Sequence, residues 1–245
     1  MNAFLATLRD AFAGLAFPSM CVICATPIES LDDGVTCALC WQQTLLTVPE
    51  PRCYQCGWPI RSQLPANHQP RCTRCRDADF ALLRFAGPYE GALRANLLFL
   101  KNHPHLCQRM RDLAIAAFEK ETALHVANVM MPIPLHPRRL KERGFNQATI
   151  IARLLSRHTR IPLKTRWLVR TKHTDRHRAG MDAKDRMRSV AAAFAVRRPE
   201  QIKDQIVLLV DDVLTTGATL NECTRTLMEA GAKAVYGFTV ARVLS

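Results

Sequence analysis

The sequence predicts an α/β chain with a small cysteine-stapled module in front of a parallel sheet that carries helices on both faces. Three observations predict it. Eight of the ten cysteines fall into four C-x2-C pairs within residues 21–75. From residue 79 onward, short apolar runs alternate with segments of helical periodicity, the pattern of strand–helix–strand units. One of those runs, Ile206–Val210, leads straight into Asp211-Asp212 and a hydroxyl-rich loop, Thr215-Thr216-Gly217-Ala218-Thr219.

The cysteine pairs are Cys21/Cys24, Cys37/Cys40, Cys53/Cys56 and Cys72/Cys75. A C-x2-C turn aims two thiolates at one ion, and two such turns complete a tetrahedral zinc site. The two halves repeat, Cys21-Val-Ile-Cys-Ala-Thr-Pro-Ile28 against Cys53-Tyr-Gln-Cys-Gly-Trp-Pro-Ile60, so the expectation is a tandem zinc ribbon over 19–78 with one structural Zn²⁺ per ribbon. Disulfides require an oxidising compartment, and a redox C-x-x-C does not come four times. Ribbons this short need a staple. Cys107 and Cys223 remain outside the scheme as small buried residues.

Residues 1–18 read as an amphipathic helix with Phe4, Leu5, Leu8, Phe12 and Leu15 on one face, packing on the zinc module. Arg9 and Asp10 interrupt its apolar character, and the pattern of a secretory signal is missing. No stretch is long and apolar enough to span a bilayer, so no membrane insertion and a cytoplasmic location are expected. Residues 79–245 form the larger domain. Its expected elements are strand Ala81–Ala86, helices Gly91–Leu100 and Leu106–Lys120, a central strand Val126–Ile133, and helix Ala148–His158, which Asn146 or Gln147 can cap. Strand 206–210, helix 220–230 ended by Gly231, and strand 234–241 complete the domain.

In such sheets ligands bind where strands end, and there the acid pair is expected to leave the sheet. A loop at a helix N-terminus offers unpaired N–H groups and the positive end of the dipole to a phosphate. Gly217 allows close approach of the backbone and the threonines add donors. Two carboxylates repel a phosphate but accept hydrogen bonds from neighbouring sugar hydroxyls. Phosphate and cis-diol together describe a ribose 5-phosphate. Neither a G-x4-G-K-[ST] nucleotide loop nor a G-x-G-x-x-G dinucleotide loop is present.

The net charge of +13 is concentrated: residues 136–198 hold 18 Lys/Arg against 4 Asp/Glu. Either a solvated face or a loop facing pyrophosphate, nucleic acid or both accounts for it. Within it, Arg170 to Gly180 lacks apolar periodicity and reads as a long exposed loop of the kind that forms lids.

The acid-pair loop resembles the phosphoribosyl pyrophosphate (PRPP) motif of type I phosphoribosyltransferases. With the four C-x2-C pairs, Tyr89…Leu100-Lys101, Pro132-Ile-Pro-Leu135 and Arg143-Gly-Phe-Asn-Gln147, the whole chain resembles the ComF/GntX family, a double zinc ribbon joined to such a domain. The resemblance implies a glycosyltransferase-type site for Mg²⁺-PRPP, with no acceptor indicated, and a link to DNA uptake, competence or use of DNA. Asp211 and Asp212 would hold the ribose hydroxyls and favour positive charge at C1′, and Thr215, Thr216, Gly217, Ala218 and Thr219 would hold the 5-phosphate. Lys101 and Arg143, with Arg170 and Lys172 arriving on the lid, would neutralise pyrophosphate. In the lid this chain has Thr174-Asp-Arg-His177 and Arg186-Met-Arg-Ser-Val190 where relatives carry T-x-x-Q and R-x-x-N-V. The rival classes are a single-stranded-DNA binder using Tyr54, Trp58 and Trp41 of the ribbons beside the basic stripe, and a protein docking on DNA-processing partners.

Overall fold

The structure, a computed structural model, describes residues 19–44, 46, 48–60, 70–172 and 193–244. The helix expected over 1–18 and the lid motifs at 174–177 and 186–190 lie outside the described residues.

The two ribbons are copies displaced by 32 residues, down to their backbone bonds. Cys21 N–H donates to Thr26 O (2.8 Å) and Ala25 N–H to Cys21 O (2.9 Å); Cys53 N–H donates to Trp58 O and Gly57 N–H to Cys53 O, both 2.8 Å. Bridges Met20↔Pro27 and Arg52↔Pro59 repeat at the same offset. Among the described residues the halves diverge at their second knuckles, where Ala38–Gln43 forms helix α1 and Thr73–Cys75 a single 3₁₀ turn.

The larger part holds four parallel strands, β1 (Leu82–Pro88), β2 (Val129–Pro132), β5 (Ile206–Leu214) and β6 (Ala234–Arg242), in the order β1-β6-β5-β2. Helices α2 (Gly91–Leu100), α3 (Gln108–Glu119) and α5 (Gln147–Thr159) pack on one face; α6 (Ala218–Glu229) packs on the other. A short helix α4 (Pro137–Arg143) and an antiparallel pair, β3 (Leu168–Arg170) with β4 (Phe194–Val196), complete the described elements. Val207 to Val210 are all fully buried, as expected of a strand covered on both sides.

Three expectations are corrected. The apolar stretch Val126–Ile133 is not a central strand: 122–126 forms a 3₁₀ turn, and among the described residues β2 pairs in the sheet only with β5. Its outer edge meets just the bridge Met130↔Leu163, because Pro162 offers a carbonyl but no N–H. Asp211 and Asp212 do not mark the strand's exit. β6 continues alongside them, and pairing resumes at Val213↔Ala241 and Leu214↔Arg242, so the acids lie within β5. Arg170 does not begin an exposed loop; it ends strand β3, half-buried, with its guanidinium 5.4 Å from the Phe194 ring centroid.

The ribbons clamp the β1 edge from both sides. The first sits on the α2 face. Trp41 is buried in that core and donates from Nε1 to Asp33 O (2.9 Å), and Arg109 pairs with Asp33 at 2.9 Å. Thr44 Oγ1 accepts Ala92 N–H (2.8 Å), capping α2, whose own N-cap residue Glu90 makes no side-chain cap bond. Buried Asn96 is saturated by bonds to Val35, Thr36 and Ala92. The second ribbon covers the edge itself: Leu83 N–H donates to Gln55 O (2.7 Å) and Arg84 Nη2 to Tyr54 O (2.9 Å). Its Cys53, Cys56 and Cys75 join the α6-side core with Phe80 and Leu83. An edge that could pair with another chain is thereby closed.

Candidate functional site

Each cysteine quartet, Cys21/Cys24/Cys37/Cys40 and Cys53/Cys56/Cys72/Cys75, has all its sulfurs within 4.8 Å of one another. The closest pairs stand 3.5–3.8 Å apart. A disulfide needs about 2.05 Å. Four sulfurs at about 2.3 Å from one ion lie about 3.8 Å apart along the tetrahedron edges. The residues fit structural zinc, and four sulfur ligands leave no position for substrate. Burial opposes it, yet backbone N–H groups of Cys24, Cys37 and Ile23 pull the Cys21 thiol down to about 6. Cys56 falls to about 4, through a hydrogen bond from Cys75, against burial, and then the charge of Arg242. Their neighbours shift the other way: burial pushes Cys40 and Cys72 up, and the hydrogen bond with Cys56 followed by burial pushes Cys75 up, so the ion is what lets all four sulfurs of a quartet shed their protons together.

At the C-terminal end of β5, Asp212 N–H donates to Asp211 Oδ1 (2.9 Å) and Val213 N–H to Asp212 Oδ1 (2.8 Å). Each carboxylate is therefore steadied by the backbone amide that follows it. Burial pushes the Asp211 carboxyl well above the usual carboxylate range, the charge of Asp212 adds to this, and Arg170 partly offsets both. Asp212 in turn acts on the Tyr89 phenol, which is raised by burial, moderated by Arg94 and raised again by the Asp212 charge. The charge of Arg170 is thus felt at Asp211, and that of Asp212 at Tyr89.

Beyond Leu214 the chain bends through Thr215 and Thr216, both exposed, to Gly217 at φ +83°, the N-cap of α6. Thr216 Oγ1 accepts Ala218 N–H at 3.4 Å, and Ala218 and Thr219 are half-buried in the first helical turn. A Cβ at Gly217 would meet only Leu214 Cδ1, at 4.0 Å, so space is not what requires glycine there. The left-handed backbone is, and a side chain costs about 1–2 kcal/mol in it. We expect Gly217→Ala to lower the melting temperature by a few degrees and to weaken phosphate-ligand binding several-fold, read by scanning fluorimetry with and without ligand. An unchanged affinity would show that the loop conformation does not matter.

The expected basic residues divide between two places. Lys101 ends α2, and its carbonyl accepts Gln147 Nε2 (3.4 Å), while Gln147 Oε1 accepts Arg143 Nη1 (2.8 Å). Lys101, Asn102, Arg139, Glu142 and Arg143 surround an open cavity of about 290 Å³ that neither aspartate lines. The charge of Arg170 acts on Asp211 instead, and Lys172 is exposed two residues farther on. The aromatic platform expected on the ribbons is corrected: Trp41 is buried, and Trp58 lies under two guanidinium groups, Arg74 at 3.7 Å and Arg242 at 4.8 Å. Tyr54 alone of the three is exposed.

Sequence reasoning missed Arg242, Arg139 and Asn221. Arg242 carried a signal, a lone cation ending an apolar strand, but it fell one residue past the expected boundary at 241. A cleft of about 190 Å³ joins Thr216, Gly217 and Ala218 to Arg242 and to Cys56 and Arg74 of the second ribbon. Two larger grooves, about 520 and 500 Å³, share Ile150 and Arg153. Among the described residues, they are lined by Arg111, Arg153, Arg157, Arg166, Arg170 and Arg197 and by no Asp or Glu. Among the described residues, no helix is long and apolar enough to cross a membrane.

Comparison with known proteins gives two domain matches: a phosphoribosyl transferase domain over residues 140–243 and a double zinc ribbon domain over 12–77. Competence protein F of Haemophilus influenzae is 28% identical over 232 residues, spanning 92% of this chain and 98% of its own. DNA utilization protein YhgH of Escherichia coli is 28% identical over 238 residues, spanning 94% and 100%. Competence protein ComFC of Bacillus subtilis is 25% identical over 224 residues, spanning 82% and 89%. Among solved structures, a purine phosphoribosyltransferase from Pyrococcus horikoshii aligns with a TM-score of 0.37 at 20% identity, over 57% of this chain and 86% of that one.

Proposed function

Since this chain belongs to the ComF family, in which zinc ribbons precede a phosphoribosyltransferase domain, we propose that it binds Mg²⁺-PRPP at the tip of β5 and serves the competence or DNA-utilisation processes after which its relatives are named. The observation carrying this reading is one continuous segment. Within nine residues it offers two backbone-steadied carboxylates and an exposed hydroxyl loop over a helix N-terminus. Asp211 and Asp212 accept the ribose hydroxyls. Thr215, Thr216, Gly217, Ala218 and Thr219 surround the 5-phosphate with N–H and O–H donors. The carboxylate pair also favours the positive charge that develops at C1′ when the bond to pyrophosphate lengthens. Mg²⁺, when bound, supplies charge neutralisation to the pyrophosphate. Lys101, Arg139 and Arg143 offer a cationic pocket for the departing group, and the charge of Arg170 reaches Asp211.

The test is calorimetry on the full-length protein with Mg²⁺-PRPP, ribose 5-phosphate and pyrophosphate in turn. PRPP should bind most tightly and ribose 5-phosphate should compete with it, because both fill the same diol and phosphate positions. Failure of PRPP to bind, or of ribose 5-phosphate to displace it, removes the reading.

A second reading has its own observation, the acid-free arginine groove beside α5. Its arginines suit a single strand of DNA held by phosphate contacts. Each neutralised phosphate contributes about −0.7 to the log–log salt slope for single strands. Arg153→Ser with Arg157→Ser should therefore reduce the slope by about 1.4 in an anisotropy titration. An unchanged slope, or no binding of the wild type at low salt, rules this surface out.

A further inference from the structure

Arg242 ends β6, but its side chain turns away to the second ribbon. It is 5% exposed, its Nη1 donates to Cys56 O, and its guanidinium lies over Trp58 at 4.8 Å and Phe85 at 5.5 Å. Its Nε–H is buried with no hydrogen-bond partner among the described residues. A buried cation requires compensating negative charge. The second cysteine quartet provides it: four thiolates around one Zn²⁺ carry a net charge of about −2. Arg242 is thus an outer partner of that metal centre, of the kind that tunes metal affinity.

The backbone of the same residue belongs to the phosphate loop's foundation. Arg242 pairs with Leu214, the residue before Thr215, and Val243 N–H donates to Leu214 O at 2.9 Å. A second tether runs in parallel. Asn221, one turn into α6, accepts Asp79 N–H at 2.8 Å and donates to Asp77 O at 3.3 Å, where the chain leaves the second ribbon. Among the described residues the first ribbon shows no such route: its contacts through Thr44, Asn96 and Arg109 fall on the opposite face.

We propose that Arg242 is a positioning residue coupling the second zinc centre to the phosphate loop, so that PRPP and the second zinc strengthen each other's binding while the first zinc stands apart. The proposal rests on the PRPP reading above, and it requires the two ribbons, nearly identical at their first knuckles, to behave differently.

The experiment uses full-length zinc-loaded protein. Chelator is added for timed intervals, freed thiols are alkylated with N-ethylmaleimide, and the peptides carrying Cys21–Cys40 and Cys53–Cys75 are quantified separately by mass spectrometry. Coupling is reciprocal for binding free energies. Saturating Mg²⁺-PRPP should therefore slow alkylation at Cys53, Cys56, Cys72 and Cys75 about fivefold or more and leave the first quartet unaltered. Equal slowing of both quartets, or of neither while calorimetry shows PRPP bound, overturns the coupling. Absence of PRPP binding to the wild type overturns the PRPP reading and the coupling together. Arg242→Met should speed zinc loss from the second ribbon by about tenfold and abolish the PRPP effect, with partial rescue by Arg242→Lys. If Arg242→Met does not fold, the wild-type protection pattern alone decides.

Discussion

The Asp211→Asn/Asp212→Asn double variant is expected to lose PRPP affinity by more than about 100-fold in calorimetry while keeping both zinc ions and its fold. Hydrogen bonds from sugar hydroxyls to carboxylates contribute about 1.5–3 kcal/mol each, and two of them account for that loss. Unchanged affinity would show that the acids serve only the strand. The same substitution should stabilise the ligand-free protein. Asp211 is raised by burial and by the charge of Asp212, so above the ordinary carboxylate pKa of about 3.9 the native state holds a proton that the unfolded chain releases. Stability then falls as pH rises from that value toward the higher pKa of folded Asp211, and the deficit persists above it. Asp211→Asn removes this slope. Denaturant titrations at a series of pH values should show a flatter profile and a higher midpoint at neutral pH; a parallel profile would mean that Asp211 carries no such penalty.

Removing residues 1–78 should have the largest structural effect. The fragment 79–245 loses Trp41 from one core and the Cys53, Cys56 and Cys75 knuckles from the other. It also leaves Asn96 and the Leu83 N–H without their ribbon partners. Loss of a buried tryptophan costs about 3–5 kcal/mol and each orphaned buried polar group about 1–3 kcal/mol. Their sum matches the whole margin of a typical domain, about 5–15 kcal/mol. We expect the fragment to elute as an aggregate or to show no cooperative melt. A compact monomer with a sharp transition would mean that the ribbons are appended to the sheet domain and do not complete it.

The parts of this arrangement legible in the sequence are those governed by local rules. The cysteine spacing specified both quartets because a C-x2-C turn contains its own geometry. Helix Gly91–Leu100 was bounded correctly by Gly91 and its apolar pattern, and the cap of the next long helix was narrowed to Asn146 or Gln147, of which Asn146 serves. Strand lengths were misjudged where a neighbour decides them. Asp211 and Asp212 look like an ending until β6 is seen to run beside them, and Val126–Ile133 looks central until Pro162 is found at its edge. The ribbon aromatics misled for a related reason: Trp41 and Trp58 resemble a stacking surface, but a fold this small uses its largest side chains to fill its own interfaces. Arg242 stood out only as a cation ending an apolar strand; its role was not legible because it joins Cys56 to Leu214, residues 158 positions apart.

The clamp on β1 has an implication for biosynthesis. β1 finds its sheet neighbour about 150 residues later, in β6. As the polypeptide emerges from the ribosome, each cysteine quartet can capture its metal early, and the first ribbon meets Ala92, Asn96 and Arg109 soon afterwards. The second must wait for Asn221 and Arg242, which lie far later in the chain, so Trp58 lacks its Arg242 cover throughout that interval.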